Sequence, residues 1–171
     1  GDSIAAEQPL KPPKFDIMLG VSGDSAQYGI LGEAAGRKVA LDLNQTHTMS
    51  LFGVQGGGKS YTLGSVIEMA SMAIPEINEL KNPLATVLFH YSPTMDYAPE
   101  FTTMVDRNTD TDELHILRER YGAGARNLEN VVLLAPASKV SERREELHGV
   151  EVHPIGFASS ELKASHWKFL M

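Results

Sequence analysis

The residues best placed to do chemistry are Gly53-Val54-Gln55-Gly56-Gly57-Gly58-Lys59-Ser60. Their spacing is G-x-x-x-x-G-K-[ST], the phosphate-binding P-loop pattern. A triphosphate carries several negative charges, so its site must gather many donors. Glycines at 56, 57 and 58 let the backbone curl until successive N–H groups point inward as an anion nest. Side chains there would block that approach. Lys59 can then reach the β- and γ-phosphates as a point charge, and the Ser60 hydroxyl can hold Mg²⁺. Tyr61 continues the segment into the next helix, whose positive end adds to the field. The expected cofactors are therefore ATP and Mg²⁺.

Other polar residues carry weaker signals. Asp96 is the acid best placed near such a loop, where it would orient water or a metal-bound ligand. Equally, it caps a turn before Pro99. The histidines at 47, 90, 115, 148, 153 and 166 show no H-E-x-x-H or other ligand spacing and read as structural. Only His90 falls at a predicted strand end. Arg143-Arg144 among Glu142, Glu145 and Glu146 reads as a solvated helix face, or else a subunit-contact strip. Phe157 and Trp167 read as core.

These residues need elements to position them. Residues 1–14, with Pro9, Pro12 and Pro13, read as a flexible lead-in. Phe15, Ile17, Leu19 and Val21 alternate with less apolar residues, a strand signal. Residues 28–31 suggest a second strand broken by Gly29 and Gly32, and Val39, Leu41 and Leu43 a third. Residues 15–44 thus read as a small antiparallel β-unit, or else as extra edge strands of the main sheet. The P-loop domain then occupies residues 45–171. There, residues 46–52 predict the strand entering the loop. Leu63, Val66, Ile67, Ala70 and Ala73 place an apolar stripe on the helix leaving it. Residues 84–89 predict a buried parallel strand. Asp110 and Glu113 mark a helix start that runs to Gly122. Residues 130–135 and 150–157 predict strands, residues 138–148 a charged helix, and residues 159–171 a final helix. This alternation argues for an α/β fold with a parallel sheet.

Composition narrows the class. The chain has 171 residues, net charge −7 and no cysteine. The acidic balance argues against a stand-alone nucleic-acid binder. The missing cysteine removes disulfides and thiolate metal sites. No apolar run approaches the ~18 residues of a membrane span, and no signal peptide opens the sequence. A cytoplasmic setting is expected. The start on Gly1 rather than Met suggests a processed or excerpted chain.

At the loop and its flanks the chain resembles the HerA/FtsK group of P-loop ATPases. Val39-Ala40-Leu41-Asp42-Leu43 and His47-Thr48-Met49-Ser50-Leu51-Phe52-Gly53 resemble the strand pair before the loop in that group. Lys59-Ser60-Tyr61-Thr62 is a common continuation, and Ser92-Pro93-Thr94-Met95-Asp96-Tyr97 resembles the group's Asp-Pro-x-Gly-acid-Tyr segment. Residues 157–171, with Glu161-Leu162 and Trp167, are similar to a later segment. The resemblance implies a RecA/ASCE-like P-loop NTPase sheet with flanking helices, preceded by a reduced barrel at the β-unit. It also implies a homo-oligomeric ring, hexameric in that group, that drives DNA translocation or remodelling in DNA processing or antiviral defence. The sequence departs from the pattern at Ser92, where an Asp is usual. It also has no apolar strand ending in an acid downstream of the loop: residues 84–89 run into His90, and 131–135 into Pro136. The implied reading is the ATP-binding part of a longer ATPase. The alternatives are a P-loop small-molecule kinase, and a non-catalytic module whose nucleotide controls assembly.

Overall fold

The computed structural model describes residues 14–54, 56–90 and 104–170, apart from the side chains of Trp167, Phe169 and Leu170. Gln55, Asp96 with the rest of 92–97, and the lead-in before Lys14 lie outside the described residues. Contacts divide the chain into two units: Gly1–Phe89 with His115–Ala123, and His90–Leu114 with Gly124–Met171.

The first unit is built on a four-stranded sheet: β1 (Ile17–Leu19), β2 (Tyr28–Ala34), β3 (Arg37–Asp42) and β4 (Asn78–Glu79). The order is β1-β3-β2-β4. β2 pairs antiparallel with β3 and β4, but β1 lies parallel to β3 and β4 comes from outside residues 15–44, so the expected antiparallel unit is instead part of a mixed sheet. Ala35 and Gly36 turn β2 into β3, both with positive φ, which matches the twist of a tight hairpin. β2 runs through both glycines that the sequence suggests would break it. At Gly32 the register with β3 shifts, so the glycine marks a bulge instead of an end.

Helix α1 (Lys59–Ser71) leaves the loop as expected and buries Ile67, Met69 and Ala70. Its contact with β2 explains Gly29. A Cβ there would lie 2.3 Å from Met69 Sδ, and Met69 is itself only 2 % exposed. The helix can approach this closely only because the strand carries no side chain at that point. We expect Gly29→Ala to lower stability by about 1–3 kcal/mol through overpacking, read as a shift in the urea midpoint. The variant would match the native protein if Met69 could move aside.

Asn78 closes the far end of α1. Its Nδ2 donates to Met69 O and Met72 O at 2.7 Å, and its Oδ1 accepts from Ile74 N at 2.7 Å. A buried amide thereby satisfies carbonyls that the helix end leaves without partners. Tyr28, Ile30, Ala40, Leu41 and Ile74 are also buried, with the Phe15 ring edge-on to Tyr28.

Two expected strands are not strands. Residues 46–52 and 84–89 have no strand pairing, and Phe52, Val87 and Phe89 are 90 %, 76 % and 94 % exposed. An apolar run becomes a central strand only if neighbours pair with both its edges. Among the described residues none pairs with these segments. Leu84 N does bond to Ala70 O, tying the second segment to α1.

Helix α2 (Thr111–Tyr121) starts where the sequence places it. Asp110 Oδ1 accepts from the backbone N–H of Asp112 and Glu113, both at 3.0 Å, and the helix stops at Gly122. Glu113 accepts from Asn108 Nδ2. In the second unit β5 (Val132–Pro136) and β6 (Glu151–Ile155) pair in parallel. Helix α3 (Val140–Glu146) covers one face, where Ala135, Val140 and Val152 form a buried cluster with Leu133. Arg143 pairs with Glu146 and Glu142 as a solvated face would. Arg144 does not: its guanidinium donates to Val152 O, strapping α3 to β6. Helix α4 (Ala164–Leu170) follows. Phe157, expected in the core, is 71 % exposed, because it falls after β6 has ended. Among the described residues no helix is long and apolar enough to cross a membrane.

Candidate functional site

The loop lies between β3 and α1. Gly56 and Gly58 both take positive φ, +75 and +78, a conformation that side chains rarely adopt. Between them, a Cβ on Gly57 would fall 3.0 Å from Val54 O. Gly57 N donates to that same carbonyl at 3.1 Å, closing a tight turn. The glycines at 56, 57 and 58 therefore coincide with positions where the backbone needs glycine, whereas a Cβ on Gly53 would meet only ordinary contacts.

Gly58 is also the N-cap of α1, and no side chain caps the helix there. The first turn of α1 carries no acidic residue. Its exposed end thus keeps the positive field of the helix dipole. Lys59 folds back across the loop, its Nζ donating to Gly53 O at 3.0 Å and Val54 O at 2.8 Å. The ammonium is held over the turn that Gly56–Gly58 create. Thr62 N and Oγ1 both reach Gly58 O, securing the start of the helix to the loop.

The structure brings Gly53, Val54, Gly56, Gly57, Gly58, Lys59 and Ser60 into one short segment, with Tyr61 beside them, 67 % exposed on α1. Gln55 and Asp96 lie outside the described residues. The donor set suits Mg²⁺ bound together with phosphate. Among the described residues no group of three or more His, Asp or Glu could hold a metal by itself. Ser60 would supply one hard oxygen, with phosphate oxygens and water as the others.

A second polar constellation went unread in the sequence. Asp42, at the end of β3, is 2 % exposed. It accepts from the Ser25 hydroxyl, from Asn44 N and Gln45 N at 3.1 Å each, and from His47 Nε2 at 2.6 Å. An ionised carboxylate only accepts, so that imidazole nitrogen carries the hydrogen. Burial alone would push the Asp42 carboxyl up. The hydrogen bonds from Ser25, His47, Asn44 and Gln45 outweigh burial and hold it below the usual carboxylate range. The sequence signal was local: an Asp closing an apolar strand, with Asn44 and Gln45 N–H groups within Asx-turn reach.

Comparison with protein-family models, with curated proteins and with solved structures gives no match.

Proposed function

We propose that residues 53–60 bind the phosphates of ATP with Mg²⁺, and that the chain is the nucleotide-binding part of a HerA/FtsK-like P-loop ATPase. The observation that carries this is the loop itself. Left-handed glycines at 56 and 58 flank a Gly57 with little room for a side chain, and the Lys59 ammonium lies across them at the head of α1. Backbone N–H groups in such a turn cradle phosphate oxygens, and the lysine neutralises their charge. The Ser60 hydroxyl would hold Mg²⁺, which would supply positive charge at the phosphates during phosphoryl transfer. Lys59 holds the terminal phosphates and Ser60 orients the metal. Asp96 remains the proposed acid for positioning water. In this reading the chain works in a cytoplasmic homo-oligomeric ring, and turnover drives movement or remodelling of DNA.

The test is calorimetric titration with Mg-ATP, with Mg-AMP as control, alongside phosphate release and light scattering with and without duplex DNA. We expect binding of ATP well above AMP, slow phosphate release by the isolated chain because no strand-end acid follows the loop, and turnover that rises with assembly and DNA. Equal affinity for AMP and ATP would overturn the triphosphate assignment. Binding that changes oligomer mass without phosphate release would favour the assembly module. Phosphate transfer to a small acceptor would favour the kinase.

A further inference from the structure

Between the end of β3 at Asp42 and the start of α1 at Lys59, the described residues form neither strand nor helix. A segment without ladder hydrogen bonds is positioned by what holds its two ends. The α1 end is held by Lys59 on Gly53 O and Val54 O, and by Gly57 N on Val54 O. The β3 end is held by Asp42, which gathers Asn44 N, Gln45 N and the His47 ring onto one carboxylate.

That carboxylate is a fixed point. Asp42 pairs with Tyr28 across β2 and β3, and Ser25 binds it from the preceding connection. The His47 ring is seated as well. It lies against Gly20, where a Cβ would fall 2.8 Å from the imidazole and where φ is +98. Only glycine leaves the ring that space without strain.

Asp42 follows the apolar residues Val39-Ala40-Leu41, so it has the sequence of a strand-end acid that could hold a metal. Its surroundings argue otherwise. An ionised carboxylate offers about four lone-pair sites. Here donors from Ser25, Asn44, Gln45 and His47 occupy them. Asp42 holds chain, not cation.

We infer that the Asp42–His47 clasp is a positioning element of the phosphate-binding loop. It pins the backbone six residues before Gly53, so the loop glycines and Lys59 keep the geometry that receives phosphate. His47 acts through the backbone between it and the loop and touches no phosphate. This inference rests on the nucleotide reading above for its consequence, but the clasp itself can be tested without nucleotide.

The experiment compares the native chain with His47→Ala and His47→Gln. Glutamine places an N–H donor where Nε2 stands, so it should restore the bond to Asp42. The first readout is ¹⁵N relaxation of the Gly53, Gly56, Gly57 and Gly58 amides without ligand. We expect order at these amides to fall in His47→Ala and to return in His47→Gln. Unchanged order in His47→Ala would overturn the clasp. The second readout is Mg-ATP affinity, expected to weaken about five- to tenfold in His47→Ala and to recover in His47→Gln. Native binding with equal affinity in His47→Ala would overturn the positioning role. A native chain that binds no Mg-ATP would overturn the nucleotide reading, while the relaxation data still decide the clasp. If His47→Ala unfolds, Gly20→Ala supplies a second variant. It crowds the ring without deleting it and should loosen the same amides.

Discussion

Lys59→Ala is expected to weaken Mg-ATP binding by a factor of about 10² to 10³ while the fold survives. The ammonium lies over the loop, 2.8–3.0 Å from the carbonyls of Val54 and Gly53, and is partly open to solvent. A unit charge about 4 Å from a phosphate oxygen contributes roughly 4 kcal/mol at an effective dielectric near 20. With about 1.4 kcal/mol per tenfold in affinity, its loss should cost a factor of about 10² to 10³. The stability cost should be small, because the lost bonds are solvent-accessible and the carbonyls can turn to water. Calorimetry and thermal unfolding on the same sample separate the two effects. A variant that binds Mg-ATP like the native chain would remove Lys59 from the site. Lys59→Arg should not rescue, because a planar fork cannot replace a compact point charge within so tight a turn.

Asp42→Ala should have the largest effect on stability. The substitution removes the acceptor shared by the Ser25 hydroxyl, the Asn44 and Gln45 N–H groups and the His47 ring, of which Ser25 alone keeps another acceptor, Gln27 O at 2.7 Å. Each unsatisfied buried donor costs about 1–3 kcal/mol. Asn44 and Gln45 are exposed and can recover water, so we expect a total of about 2–4 kcal/mol. That is a large share of a typical 5–15 kcal/mol domain stability.

The same group makes stability depend on pH. The folded Asp42 carboxyl is held below its ordinary value despite burial, because four hydrogen bonds favour its ionised form. Its unfolded counterpart titrates near 3.9. Between those two values the unfolded chain binds more protons, so stability rises with pH across that window. The contribution is full above about pH 4 and is lost as pH falls through the folded value. Urea midpoints measured from pH 2 to 6 should therefore fall on acidification and fall less steeply in Asp42→Ala. Glu142, held low by Lys139, acts in the same direction in both proteins. Glu68, pushed up by burial on α1, acts oppositely in both. Parallel curves for the two proteins would show that Asp42 titrates normally.

Much of the local structure was legible from residue order, because its causes are local. The helix after Ser60, the Asp110 start, the Gly122 stop and the β5 and β6 segments follow from periodicity, capping and backbone freedom. The glycines at 56 and 58 sit where the turn demands positive φ. Apolar residues at 46–52 and 84–89 specify that these segments are suited to burial. They do not specify what pairs with them, so the expected strands did not follow from pattern alone.

Three further features depended on tertiary structure. Gly29 reads as a strand breaker until Met69 of α1 is placed 2.3 Å from where its Cβ would be. Arg144 reads as surface charge until β6 offers it the Val152 carbonyl. Ser25 lies 17 residues before Asp42, and only the β2–β3 pairing brings the serine to the carboxylate. By itself the sequence determined a glycine-rich loop with a lysine at the head of a helix, because turn geometry and helix capping act within a few residues. The tertiary structure alone decided that Asp42 is buried and that Ser25 completes its partners, because the strand pairing that does both joins residues far apart in the chain.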